Sequence, residues 1–243
     1  MQDIDFLQQN SLDHLMASAR EKYDVVFEPV RIGEMSLDIL QIADMESYID
    51  RLAEKSGEQV ELPFWAKIWP ASVLLGYYLC SLPAQKPLDM LELGAGVGVC
   101  GLAAAAMGHN VLITDNHPDA LLFARINILR NNLQEKAAVQ AVDFTADRLQ
   151  RRFDCILGAE ILYLEDTYPQ LLNFLQQHLG IDKDCEIILS AKDSRKSPAF
   201  FNHASQKFQI SRKTVKCRDN DPQDASAGEN HSITIYRLRA QQH

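Results

Sequence analysis

A glycine-rich turn set between a strand and a helix constrains this chain more than any other feature. The segment Leu91-Glu92-Leu93-Gly94-Ala95-Gly96-Val97-Gly98 closes one apolar run, 88–96, and opens another, 97–108, that ends in Gly108. Glycines let a backbone turn sharply and approach a ligand closely, and the start of a helix offers unpaired N–H groups. The alternation continues downstream. Residues 110–115 read as a strand, 117–132 as a helix with Pro118 near its start, 137–144 and 153–163 as strands, 167–180 as a helix and 185–191 as a strand. Upstream, 72–82 reads as an apolar helix ending before Pro83. Strands that are apolar throughout, separated by helices, demand a parallel sheet covered on both faces. The end of the chain breaks the pattern: 208–219 and 231–240 read as strands joined only by the polar loop 221–230. Two strands without a crossover helix between them are antiparallel. The expected fold is α/β, a doubly wound seven-stranded sheet, mostly parallel, with an antiparallel C-terminal hairpin.

The first 60 residues differ. Residues 4–21 space Ile4, Leu7, Leu12, Leu15 and Met16 as one face of a helix. Residues 23–32 and 35–43 read as strands of a hairpin about Gly33 and Glu34, and 45–57 as a helix stopped by Gly57. Residues 1–60 are therefore an α+β extension on an α/β domain of residues 61–243.

Charge and cysteine content narrow the partners. With 24 basic and 33 acidic residues the net charge is −9, against a bare nucleic-acid backbone as main partner. No stretch reaches the roughly 20 apolar residues of a membrane span, and the first residues carry acids and amides where a signal peptide is basic and then apolar. The cysteines Cys80, Cys100, Cys155, Cys185 and Cys217 are odd in number, scattered and free of any C-x-x-C pair. Reduced thiols in a cytoplasmic, monomeric protein are the expectation, with no zinc site. The seven histidines form no i,i+4 pair, so no metal is expected.

The turn admits two adenosine-containing ligands. Asp115 ends the next strand, 21 residues after Gly94, where an acid can accept from both hydroxyls of a ribose. Gly96-x-Gly98-x-x-Gly101 matches the dinucleotide pattern literally, a weak signal alone. Three features favour S-adenosylmethionine (SAM). Glu92 sits two residues before Gly94, where a carboxylate repels a pyrophosphate and suits an amino or sulfonium group. Asp143, expected to end the third strand, precedes Phe144, an acid and a ring suited to an adenine. The antiparallel ending is not the usual one for a dinucleotide fold.

Together these residues resemble the class I, seven-β-strand SAM-dependent methyltransferases, whose sheet is Rossmann-like; the likeness covers about residues 60–240. Two further segments are similar to the family 16 branch of protein lysine methyltransferases. Pro63-Phe64-Trp65-Ala66-Lys67-Ile68-Trp69-Pro70 resembles the W-x-x-x-x-Pro segment before the first core helix, and Glu160-Ile161-Leu162-Tyr163 resembles the D-x-x-Y motif after the fourth strand. The acid here is Glu rather than Asp, which keeps the charge and adds a methylene.

The resemblance implies that Glu92, Gly94, Gly96 and Asp115 bind SAM, that Asn116, Asp143 and Phe144 border its adenine and ribose, and that Trp69 closes over it. The alternative for Trp69 is a core tryptophan under the N-terminal hairpin. Trp65 is either core or an aromatic wall that holds a cation. Methyl transfer needs orientation and exclusion of water more than a nucleophilic side chain, and no such motif is evident. Glu160 is expected to orient the incoming amine and Tyr163 to line its channel, at the strand ends where open α/β sheets bind ligands; the alternative for Tyr163 is packing at a helix start. Lys67, Lys192, Asp193 and Arg195, with His117, lie near the expected site, and Arg212, Lys213, Lys216 and Arg218 make a basic strand whose default reading is a solvated edge. The preferred function is SAM-dependent methyl transfer to a protein lysine, with S-adenosylhomocysteine (SAH) as product. The competitors are the same chemistry on a small molecule, an NAD(P)-dependent oxidoreductase, and a non-catalytic module. An open rim is expected for a protein acceptor and a lidded pocket for a small one.

Overall fold

The computed structural model describes residues 11–56, 62–82, 86–193, 197–218 and 230–241. Residues 4–10, Gly57, Pro83, Arg195 and most of the polar loop 221–230 lie outside the described residues. The first described element is helix α1 (Leu12–Lys22), capped by Ser11 accepting from the His14 N–H. Strands β1 (Val25–Ile32) and β2 (Met35–Ile42) form the hairpin, with Gly33 at φ +65° in the turn, and helix α2 (Met45–Ser56) follows.

From Pro70 onward the chain alternates as the apolar pattern requires: α3 (Pro70–Ser81), β3 (Asp89–Leu93), α4 (Val99–Ala106), β4 (Asn110–Asp115), α5 (Pro118–Arg130), β5 (Ala137–Ala141), β6 (Cys155–Ala159), α6 (Tyr168–His178) and β7 (Glu186–Lys192). Proline at the first helical position starts α3 and α5, where its missing N–H costs nothing. The short helix α7 (Pro198–Ala204) has no counterpart in the periodicity of the sequence; it precedes β8 (Phe208–Arg218) and β9 (Asn230–Ala240).

The seven strands lie in the order β5-β4-β3-β6-β7-β9-β8. The first five are mutually parallel, and β9 runs antiparallel between β7 and β8. Side chains alternate across this sheet with period two. On β3, Met90 joins the core under α3, α4 and α5, whereas Leu91 and Leu93 join the core under α6 and α7. That alternation puts Glu92 on the Met90 side, facing α4.

The N-terminal extension shares the first of these cores. Leu15, Ile32, Leu37, Ile39 and Leu40 pack with Leu75, Leu102 and Phe123. The outer edge of β2 is bonded by side chains of α5 and its C-cap: the amide oxygens of Asn131 and Asn127 accept from the N–H groups of Asp38 and Leu40, at 2.9 and 2.7 Å. Tyr23 donates to Asp119 at 2.7 Å, and burial beside that carboxylate raises the phenol far above its ordinary range. The strand order reverses at β3, which pairs with β4 on one side and β6 on the other. In open α/β sheets the crevice beyond the strand ends at such a reversal is the ligand site.

Candidate active site

A cavity of about 620 Å³ opens at that crevice, within the range of small-molecule sites. All ten residues expected to bind cofactor or act on the acceptor line it: Trp69, Glu92, Gly94, Gly96, Asp115, Asn116, Asp143, Phe144, Glu160 and Tyr163. A second cavity of about 560 Å³ lies among α1, β1 and α2. Its lining mixes Arg20, Lys22 and Arg51 with Glu21 and Asp24, and it holds none of the ten.

The floor is the turn after β3. Gly94 and Gly96 have φ of +56° and +53°, a conformation that L side chains rarely adopt. Gly96 is required for space as well: a Cβ there would stand 2.5 Å from the Trp65 carbonyl oxygen, because the 63–69 segment crosses the turn. Asp115 ties this turn to the next. Its Oδ2 accepts from the Gly96 N–H at 2.8 Å and its Oδ1 from the His117 N–H at 2.9 Å, and burial raises its carboxyl above the ordinary value.

Glu92 has a task that its sequence position did not disclose. It is 2% exposed, and its Oε2 accepts from the Gly101 N–H at 2.9 Å. Gly101 is in the first turn of α4, so the protein's own carboxylate occupies the anion position at a helix start. A Cβ on Gly101 would meet that oxygen at 2.5 Å. The third glycine of the dinucleotide-like pattern therefore makes room for an acid. Burial pushes the Glu92 carboxyl up to about 7.

The walls come from neighbouring loops. Asp143 lies two residues beyond β5, which stops at Ala141; the expected strand is shorter because the Asp143 carboxylate turns the chain by accepting from the Thr145 N–H and hydroxyl at 2.8 and 2.6 Å. Phe144 follows it into the wall, and Asn116 stands exposed at the end of β4. Trp69 donates from Nε1 to the Phe64 carbonyl at 3.1 Å, and the Lys67 ammonium lies 5.3 Å above its ring. It stands at the cavity, not under the hairpin. Trp65 also borders the cavity, but its ring is stacked on His117 and edge-on to Phe123 and Tyr23. Its ring is mainly a core contact.

Glu160 begins the loop after β6 with φ +57°, strained for a residue with a Cβ. Two bonds to β7 hold it there: its N–H donates to the Ser190 carbonyl at 2.8 Å, and its Oε1 accepts from the Lys192 N–H at 2.8 Å. Further along, the Leu162 carbonyl accepts from the hydroxyls of Tyr168 and Ser197, each at 3.1 Å. Directly after these anchors, Tyr163 points to solvent, 63% exposed, so it does not pack a helix start. Lys192 is exposed at the end of β7 and does not line the cavity.

Several wall residues carried no sequence signal. Val97, Val142 and Ile161 are apolar residues beside strands, indistinguishable in sequence from core. Phe64, Leu62 and Leu164 line the mouth. Four carboxylates, Glu92, Asp115, Asp143 and Glu160, face the cavity against the single ammonium of Lys67.

This topology and crevice define the fold of the SAM-dependent methyltransferases. Among solved structures, the N-methyltransferase NodS of Bradyrhizobium japonicum in complex with S-adenosyl-L-homocysteine superposes with a TM-score of 0.54 at 13% identity, covering 82% of this chain and 100% of that one. The ribosomal protein L11 methylase of Lactobacillus delbrueckii subsp. bulgaricus superposes at 0.52 with 23% identity, covering 70% and 79%. A family model described as lysine methyltransferase matches residues 52–207, more than half of the chain, and the chain belongs to that family. Protein N-lysine methyltransferase METTL21A of Danio rerio is 37% identical over 153 residues, 60% of this chain and 69% of that protein. Its Mus musculus counterpart is 38% identical over 118 residues, 45% and 53%. EEF1A lysine methyltransferase 3 of Mus musculus is 30% identical over 179 residues, 72% of each. The matches thus span from about half to seven-tenths of these relatives' own length.

Proposed function

We propose that this protein transfers a methyl group from SAM to the side-chain amine of a protein lysine. One observation carries the cofactor assignment: Glu92 fills the anion position at the start of α4. A pyrophosphate would meet a carboxylate there, whereas a ligand bearing a cationic amine and sulfonium is attracted. This disfavours the oxidoreductase reading, which rested on the glycine spacing alone. The donor set fits SAM. Asp115 is buried at the end of β4, suited to ribose hydroxyls; Asp143 and Phe144 suit the adenine amine and ring; Gly94 and Gly96 leave space over the turn; Asn116 borders the ribose; Trp69 and the apolar walls close the site.

Bound SAM supplies a methyl carbon activated by its sulfonium for in-line displacement. The chain's own residues handle the acceptor. Tyr163, with Phe64 and Trp69, makes an apolar mouth that strips water from a lysine ammonium and lowers its pKa. Glu160, rigidly held by β7, orients the amine, and the strain at its backbone fits a functional position. The exposed mouth favours a protein acceptor over a small molecule. Calorimetric titration with SAH, with NAD and NADP as controls, tests the reading. Micromolar binding of SAH alone is expected. Binding of NAD or NADP instead overturns it.

A further inference from the structure

Hydrophobic exposure in this molecule is concentrated at one place. Among the described residues, seven large apolar side chains are exposed, and four of them border the cavity mouth: Leu62 at 37%, Phe64 at 59%, Tyr163 at 63% and Leu164 at 52%. Scattered exposed apolar residues need no explanation, but clustered ones at a site rim mark an interaction surface. They come from two loops that the structure holds firmly. The Phe64 carbonyl accepts from Trp69, and the Leu162 carbonyl is fixed by Tyr168 and Ser197.

The charge around this apolar ring is mostly negative, although Arg148 beside Asp147 and Lys192 beside Glu160 are exposed cations nearby. Glu165 and Asp166 are exposed and directly follow Leu164, Asp143 and Glu160 line the cavity, and Asp147 accepts from the Asp143 N–H beside it at 2.8 Å. Lys67 is the one ammonium among the cavity-lining residues. The whole chain carries −9. We propose that this rim docks a basic, partly apolar segment of the acceptor protein, in which the target lysine is flanked by further arginines or lysines and by aliphatic side chains. The inference rests on the methyltransferase reading and adds the chemistry around the acceptor lysine. Charge complementarity selects this occupant. A second copy of the chain would bring its own acidic surface, and an anionic lipid surface would be repelled by the same carboxylates.

The test uses two fluorescein-labelled peptides and the full-length protein saturated with SAH. One peptide has a central lysine flanked by arginines and leucines; in the other, glutamates replace the arginines. Anisotropy should show the basic peptide binding at least about tenfold tighter, about 1.4 kcal/mol, and weakening as salt rises. Two double variants should each lose about tenfold in that affinity while binding SAH as the parent does: Leu62→Ser with Leu164→Ser, and Glu165→Lys with Asp166→Lys. All four positions are exposed, and SAH binding by the same samples reports an intact fold. Equal affinity for the two peptides, undiminished binding by either double variant, or no binding of either peptide to SAH-loaded protein overturns the proposal. Failure of the parent to bind SAH overturns the methyltransferase reading first and this inference with it.

Discussion

Replacing Glu92 by Gln should change how the ligand-free fold responds to pH. Glu92 is buried under α4, with its ordinary value of 4.5 pushed up to about 7 mainly by burial, against the bond from the Gly101 N–H and with the Asp115 charge adding to the rise. An acid whose folded pKa is raised holds its proton more tightly in the fold than in the unfolded chain. Stability is therefore fullest below 4.5 and falls as pH rises towards 7. At about 1.4 kcal/mol per pH unit, the gap caps the cost of ionisation at about 3 kcal/mol. Between pH 5 and 8 about 2–3 kcal/mol of this is expressed, because the unfolded chain is already partly ionised at pH 5. Glutamine keeps an oxygen to accept from Gly101 and cannot ionise. Urea unfolding of parent and Glu92→Gln should give a stability difference that moves in favour of the variant by about 2–3 kcal/mol from pH 5 to pH 8. The coupling to Asp115 is part of the rise in Glu92 and so belongs to the difference, while titrating groups that do not interact with Glu92 cancel in it. A constant difference across that range would refute the reasoning and place the Glu92 carboxyl near its ordinary value.

Other substitutions test separate parts of the account. Asp115→Ala should weaken SAH binding by roughly 1–3 kcal/mol, the usual range for bonds to a charged group; an unchanged dissociation constant in calorimetry would remove Asp115 from the ribose site. Gly101→Ala drives a Cβ to 2.5 Å from the Glu92 carboxylate and 2.6 Å from Ile113, and should cost about 1–3 kcal/mol in urea unfolding. Glu160→Ala should abolish most turnover with SAH affinity retained, and full turnover would remove its orienting role. Leu40→Ala, in the core that the hairpin shares with α3 to α5, should cost about 2–5 kcal/mol in the same cooperative transition as the sheet; a separate early transition would mean that the extension folds on its own.

The parallel part of the sheet was legible because its strands are short and mainly apolar, alternate with helices, and meet a glycine-rich turn after β3. The antiparallel end followed from the absence of a crossover helix between the last two strands. Helix α7 was not legible: seven residues fall below the length at which a helical period can be read. The polar residues lining the cavity could be read because they sit at the glycine-rich turn and the strand ends, where the topology puts the crevice. Its apolar walls could not, since Val97, Val142 and Ile161 look like core until the cavity beside them is seen. Trp65 shows the same limit. Trp69 was expected at the cofactor by resemblance, whereas Trp65, four residues earlier, stayed open between core and wall, and only packing shows its ring against Phe123 at the cavity border. Glu92 was expected at the crevice and lines it, but its bond to the Gly101 N–H could not be read from spacing, because it depends on how closely β3 and α4 pack.

The central claim is methyl transfer to lysine. The most direct measurement incubates the protein with SAM carrying a tritiated methyl group and a protein extract, then hydrolyses the precipitated protein to amino acids. The account predicts label in N-methylated lysine, reduced at subsaturating SAM when Asp115→Ala replaces the parent. Label confined to small molecules, or recovered in another methylated amino acid, would contradict it.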